Sequence, residues 1–275
     1  VALLVKISTM LIDTHTHFDS PKFAQTRADD WARARSGGVM AQVVASVAPP
    51  NFNTVRDLAH VHAGTTYALG IHPMFVDPLG DDALDVLRAA IVAHIDDPKL
   101  VAIGEIGLDG FVKNTDMPKQ IRFYRAQLQL AREFELPVIL HVRHAQDTVI
   151  KYLRQYSINN GIAHAFNGSF SQANAYIKQG LKLGFGGMLT FDKANQIRRL
   201  ARELPIEALV LETDAPDMPP SWAYQQLNYS HYLPRIAQAL CELRGLTMPE
   251  LAGQMRLNSV AALPKLQLTL DELSR

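Results

Sequence analysis

His15 and His17 stand one residue apart in Asp13-Thr14-His15-Thr16-His17. Alternate side chains of an extended segment project to the same side, so both imidazoles can bind one metal ion. Neither has an apolar role in a stretch that runs on to Phe18-Asp19. Glu105 lies in Ile103-Gly104-Glu105-Ile106-Gly107. A carboxylate in such apolar company is costly unless it is paired or coordinated, and its two oxygens can bridge two cations. His141 and His164 each fall near the end of an apolar run. Asp214, in Leu211-Glu212-Thr213-Asp214-Ala215-Pro216, is placed to ligate a metal, to accept a proton from water, or both. Glu212 points the same way by alternation and suits a supporting hydrogen bond to a histidine. Nitrogen and carboxylate donors without sulfur favour Zn, Mn, Co or Mg. Six such side chains exceed the needs of one tetrahedral zinc, so two divalent cations sharing Glu105 accommodate them better.

These residues are far apart in sequence, and something must gather them. Short apolar and β-branched runs recur at 11–15, 42–48, 66–72, 100–107, 137–142, 161–166, 181–188 and 208–214. Near-continuous runs of this length read as strands buried on both faces, as in a parallel sheet. Helical spacing lies between them. Leu84, Leu87, Ile91 and Ile95 share one face, as do Ile121, Tyr124, Leu128 and Ala131 after Pro118; Val149, Tyr152 and Leu153 repeat the pattern. Eight strands alternating with helices predict an α/β fold, a (β/α)8 TIM barrel in one domain over residues 1–275. Ile236, Leu240, Leu246 and Leu251 predict a C-terminal helical extension. In a parallel barrel all strand carboxyl ends lie on one face, which is where the six ionisable residues fall.

Composition narrows the function. The 275 residues carry 27 Lys+Arg and 27 Asp+Glu, a formal balance of zero that argues against coating nucleic acid or an anionic membrane by bulk charge. It leaves room for capture of a few phosphates in a cleft. The single cysteine, Cys241, excludes an internal disulfide framework and a cysteine-based zinc finger. No stretch approaches the ~20 apolar residues of a membrane span, and Val1–Val5 is too short for a signal peptide, so a cytoplasmic location is expected. Residues 1–9 read as a short extension, with Met10 a candidate initiator. No Gly-rich nucleotide motif follows any strand.

The ordered set IDTHTHFD (12–19), GIHP (70–73), GEIGLD (104–109), PVILHVR (137–143), HAFNGS (164–169) and LETDAP (211–216) resembles the TatD family of metal-dependent deoxyribonucleases, within the amidohydrolase-like barrels. The resemblance covers nearly the whole chain from Met10. It implies a binuclear site with His15, His17 and Asp214 on one metal, His141 and His164 on the other, and Glu105 between them. The chain departs from the family pattern at several places. Gly110 precedes Phe111 where an aromatic usually follows the aspartate directly, and His144 stands where an acidic residue is common. Asn167 replaces a serine, and Leu227-Asn228-Tyr229 fits the usual ending poorly.

The leading functional reading is a metal-dependent phosphodiesterase acting on single-stranded DNA ends in the barrel mouth, with no membrane and no obligate protein partner. Asp214 is assigned as proton acceptor and Glu105 as the residue that holds the metal spacing. Arg143 offers the paired donors of a guanidinium to a phosphate, and His72 faces the same rim as a second substrate contact. Trp222 and Tyr224 suit either base stacking or a hydrophobic lid, while Lys193, Arg198 and Arg199 read as a solvated helix face. The same site would activate water toward a small amide, lactone or phosphoester, which is the alternative reading; a non-catalytic metal-binding protein is the third.

Overall fold

A computed structural model describes residues 10–274; the expected extension over 1–9 lies outside the described residues. Eight strands form one sheet in sequence order, each parallel to the next. They are β1 (Leu11–Thr16), β2 (Val39–Ala45), β3 (Thr65–Leu69), β4 (Leu100–Asp109), β5 (Val138–Arg143), β6 (Gly161–Ala163), β7 (Lys182–Phe185) and β8 (Leu209–Leu211). A helix follows each: α1 (Arg27–Ser36), α2 (Phe52–Val61), α3 (Asp82–His94), α4 (Met117–Glu133), α5 (Gln146–Gln155), α6 (Phe170–Lys178), α7 (Asn195–Glu203) and α8 (Leu233–Arg244). Two further helices, α9 (Met248–Ala262) and α10 (Leu266–Leu273), make the C-terminal extension of this (β/α)8 barrel. No described helix is long and apolar enough to cross a membrane.

Several apolar runs are longer than the strands they mark. The sixth and eighth runs give only three residues each to the sheet, because the chain turns just beyond: Ala165 has φ 44° and Asp214 φ 61°. Both angles lie in the left-handed region, where a non-glycine residue must be held by its surroundings. The fourth run errs the other way, since β4 continues to Asp109. Glu105 therefore sits inside its strand rather than at the end. Between Ile103 and Ile106, β4 advances three residues while β5 advances two, from Val138 to Leu140. An extra residue of this kind bends a strand and re-aims a side chain, here next to Glu105.

Two apolar layers hold the barrel. Outward strand residues such as Val44, Leu69, Ile103 and Leu140 pack against helix faces carrying Leu87, Ile91, Phe123, Tyr124 and Leu128. Inward residues Ile12, Val43, Ala68, Val101, Ile139, Ile162 and Val210 form a second cluster. Ala262, Leu263, Leu266 and Leu270 belong to it, so the C-terminal extension plugs the barrel end opposite the strand carboxyl face. Helix α4 starts cleanly, with Asp116 accepting from the Lys119 amide (2.9 Å) ahead of Pro118. Its two buried glutamines reach the strands. Gln127 bonds both the amide (2.7 Å) and the carbonyl (3.0 Å) of Ile71, and Gln120 accepts from the Asp109 amide (2.9 Å).

The seam between β8 and β1 is closed differently from the other seven junctions, with no strand ladder among the described residues. Backbone bonds join it just past β8, from Asp214 N to His15 O (2.9 Å) and from His17 N to Ala215 O (2.7 Å). The side chains of β1 do the rest. Thr14 and Thr16 donate to the carbonyls of Leu211 and Ala215 (both 3.0 Å), and Asp13 accepts from the amide (2.9 Å) and hydroxyl (2.6 Å) of Thr213. Burial pushes the Asp13 carboxyl up to about 6, while the Thr213 and Ser230 hydroxyls pull it back. An unpaired buried donor costs about 1–3 kcal/mol, and Asp13→Ala would leave both Thr213 donors unpaired. Urea denaturation should show Asp13→Ala less stable by about 2–4 kcal/mol on that basis, with Asp13→Asn losing less. Equal stability of Asp13→Ala and the parent would show that the seam does not depend on this carboxylate.

Candidate metal centre

The strand carboxyl ends bring His15, His17, Glu105, His141, His164 and Asp214 into one cluster. Glu105 lies at its middle and is 1% exposed. Its Oε2 is 3.3 Å from the Nε2 atoms of both His15 and His17. Its Oε1 is 2.8 Å from His164 Nε2 and 2.9 Å from His141 Nδ1. Asp214 Oδ1 lies 3.4 Å from His15 Nε2 and 3.7 Å from His17 Nε2. The two oxygens of one carboxylate thus face two groups of donors. His15, His17 and Asp214 stand on one side, His141 and His164 on the other.

Which ring nitrogen is free depends on what holds the other. His17 Nδ1 donates to the Ala45 carbonyl (3.1 Å), which leaves the Nε2 lone pair facing inward. His141 Nε2 donates to Asp109 Oδ2 (2.9 Å), which leaves Nδ1 facing Glu105. His164 Nδ1 lies 3.8 Å from Glu212 Oε1, which also accepts from the Ala165 amide. His72 is a different case. The Met74 amide donates to its Nδ1 (3.1 Å), so the proton of the neutral ring sits on Nε2. That Nε2 is 3.0 Å from His141 Nδ1 and 3.3 Å from Glu105 Oε1. His72 therefore presents the cluster with a hydrogen-bond donor rather than a lone pair, although its position beside Glu105 and His141 would suit a ligand.

Without a cation the cluster must neutralise itself with protons. Burial opposes ionisation of Glu105, but His72, His164 and His15 hold its carboxyl well below the usual range. Burial opposes charging of His15 too, yet the Glu105 and Asp214 carboxylates raise it well above an ordinary histidine. His141 likewise rises to about 9 against its burial, through Asp109 and Glu105. Burial and the charge of His15 push His164 down to about 4. Burial also drives the Glu212 carboxyl, which lies behind His164, up to about 8.

Whether these side chains fit a cation is answered by the atoms that lack partners. His15 Nε2 and Glu105 Oε2 face each other in the middle of the cluster, yet both are buried without a hydrogen bond. Buried polar groups are almost always paired, so two such orphans where the donors meet point to a ligand. The separations of 3.3–3.7 Å around Glu105 Oε2 and Asp214 Oδ1 are long for hydrogen bonds. They suit donors that share an ion at ~2.0–2.2 Å from each. Nitrogen and carboxylate donors fit a divalent cation.

Arg143 stands apart from the cluster. It ends β5, pairs in register with Asp109, and lays its guanidinium over the Phe111 ring, 3.7 Å from the centroid. Trp222 packs against Arg235 (3.9 Å) and Tyr232, and Tyr224 is exposed against Phe191. Two supporting residues carry no role in the sequence reading. Asp109 appears there only as the last letter of GEIGLD, an ionisable residue two places beyond the fourth apolar run, and the structure buries it at the end of β4. Asn228 is buried and donates to the carbonyls of Thr213 (2.6 Å) and Asp217 (2.8 Å), holding the loop that carries Asp214. It enters the sequence reading only within Leu227-Asn228-Tyr229, and its buried partners are far away in sequence.

A (β/α)8 barrel whose strand ends converge on imidazoles and carboxylates is the architecture of a metal-dependent hydrolase. A family model described as TatD related DNase matches residues 12–264. The chain is 37% identical over 249 residues to the metal-dependent hydrolase YjjV of Escherichia coli K12, covering 90% of this chain and 95% of that one. It is 32% identical over 264 residues to the 3′-5′ ssDNA/RNA exonuclease TatD of Erwinia amylovora, covering 91% and 98%. The crystal structure of YjjV superposes with a TM-score of 0.89 at 35% identity, over 94% of this chain and 99% of the other. The chain belongs to the TatD-related DNase family and is a metal-dependent hydrolase of that type.

The hydrogen bond from His141 to Asp109 generates a test. Partners that orient a ligating histidine typically contribute 10–100-fold in metal affinity. Asp109→Ala should weaken binding of Mn²⁺ or Zn²⁺ by roughly 10–100-fold in isothermal titration. Unchanged affinity in a folded variant would mean that the carboxylate does not orient His141 for a metal.

Proposed function

We propose that the protein is a nuclease that removes residues from single-stranded DNA or RNA ends, using two divalent cations held on either side of Glu105. The observation that carries this reading is the division of labour at Glu105, whose two oxygens face separate groups of donors. His15, His17 and Asp214 would hold one cation, and His141 and His164 the other. The name of the Erwinia relative supplies the substrate class, and the neutral charge of the chain fits local capture of phosphate over long-range attraction. Bound cations of this kind neutralise phosphate charge and make water a better nucleophile near neutral pH.

The chain's own residues take distinct parts in the reaction. A water oxygen forms a bond to phosphorus, the P–O bond to the departing nucleotide breaks, one water proton must be accepted, and the departing oxygen takes up a proton in its turn. Asp214 suits that acceptance: its side chain is 12% exposed toward the mouth, against 1% for Glu105. Glu105, walled in by histidines, fixes the separation of the two groups. His72 directs its Nε2 proton into the cluster and steadies Glu105 and His141. Arg143 has no hydrogen-bond partner for its guanidinium among the described residues while it covers Phe111, so it can still grip a phosphate.

End-labelled single-stranded DNA and RNA, incubated with protein reconstituted with Mg²⁺, Mn²⁺, Co²⁺ or Zn²⁺, should shorten from one end, and EDTA should stop the reaction. Asp214→Asn should lower kcat by roughly 10²–10⁴-fold, the usual contribution of a positioned base, with metal content reduced less. Glu105→Ala should lose metal, as read by elemental analysis. Near-normal turnover of metal-replete Asp214→Asn would refute the proton-acceptor role. Hydrolysis of a small amide or lactone without any nucleolysis would replace the nuclease reading by the small-substrate one.

A further inference from the structure

Three aromatic side chains on loops at the strand carboxyl face stay substantially exposed: Phe75, Phe111 and Tyr224. Phe75 stands edge-on to His72 (5.9 Å) and Tyr224 edge-on to Phe191 (6.0 Å), and neither has a cation over its face among the described residues. Phe111 differs on both counts. Arg143 lies flat against it, yet 52% of the residue remains open to solvent.

Its placement is tied to the metal centre through one carboxylate. Asp109 Oδ2 accepts from His141, while Oδ1 accepts from the amides of Phe111 (2.8 Å) and Val112 (3.0 Å). The ring and the histidine therefore hang from the same side chain. Gly110 explains why the ring is at 111. A Cβ at 110 would lie 2.8 Å from the His144 carbonyl oxygen, because the Gly110 amide is drawn against β5 by its bond to Arg143 O (2.7 Å). No side chain fits there, so the aromatic surface is offered by the next residue, with His144 edge-on to it (5.3 Å).

We propose that Phe111 is a stacking ledge for a nucleobase beside the metal centre, with Arg143 stiffening the ring from one face and taking the phosphate of the same nucleotide on its free edge. The proposal rests on the nuclease reading above and names the part of the substrate that the cleft recognises. Aromatic rings stack on any base, so the ledge would hold single strands with little sequence preference. A base inside a duplex has both faces already stacked, which gives the ledge a physical basis for preferring single strands.

The test separates the ledge from the chemistry. Phosphorothioate-linked oligonucleotides carrying 2-aminopurine at the 3′ or the 5′ end are titrated with Mn²⁺-loaded protein, and fluorescence reports stacking. One of the two probes should be quenched by the parent and by Phe111→Trp. Phe111→Ala should lose the quench and bind roughly tenfold more weakly, within the range that alanine substitution of a stacking ring gives. In cleavage assays the parent should favour a terminal nucleotide with a base over an abasic one, and Phe111→Ala should lose that preference. Thermal melting checks that the variant is folded. Cleavage of single strands with a quench that survives Phe111→Ala would overturn the ledge and leave the nuclease reading standing. A Phe111-dependent quench without cleavage of any strand would sustain the ledge and overturn the nuclease reading.

Discussion

A single carboxylate buried among imidazoles sets the terms for this structure. Both oxygens of Glu105 lie within 3.3 Å of ring nitrogens, from His15 and His17 on one side and from His72, His141 and His164 on the other. An isolated carboxylate at that depth would give up its charge. Here positive charge on the surrounding rings, or on cations in their place, keeps it ionised. The constraint reaches outward into the barrel. Five different strands must deliver residues to one point, and the irregular register beside Glu105 aims its side chain there. Helix α4 contributes without entering the site, because Gln120 and Gln127 fix the backbone where β4 and β3 deliver their residues.

Much of this was legible in the sequence, for a physical reason. Strands covered on both faces must be apolar, so an ionisable residue at the end of such a run stands out. The eight runs gave the barrel, and the positions of His15, His17, Glu105, His141, His164 and Asp214 relative to those runs gave the cluster. Strand limits are less legible, since Gly161–Ala163 and Leu209–Leu211 are followed by buried residues that serve loops rather than ladders. Hydrophobicity records burial and not hydrogen-bond pattern. The side chain of Arg143 was placed by chemistry alone, and its stacking on Phe111 depends on the β4–β5 register, which no local pattern encodes. The same holds for Asp109 and Asn228, whose partners are distant in sequence.

His72 shows how a hydrogen bond from the backbone can decide what a side chain does. By position it is a fifth imidazole beside Glu105, as close as some of the others. The Met74 amide occupies its Nδ1 and so commits the opposite nitrogen to carrying a proton. Proximity to a cluster and competence to ligate are thus separable, and the distinction lies in a single main-chain N–H.

The seam between β8 and β1 has a consequence for the barrel as a whole. His15 and His17 lie on one bank of it and Asp214 on the other, and the strands there are joined by side chains and a few backbone bonds instead of a ladder. A cation coordinated by these three residues is a clasp across the joint, and its binding energy is at the same time energy of closure. By linkage, such a clasp adds stability in proportion to the logarithm of the free ion concentration above its dissociation constant. Amides along this joint would then exchange with solvent more slowly as ion is added, while those of the other seven junctions change less. An ion held by these three residues would complete the circumference of the barrel as well as equip it for chemistry.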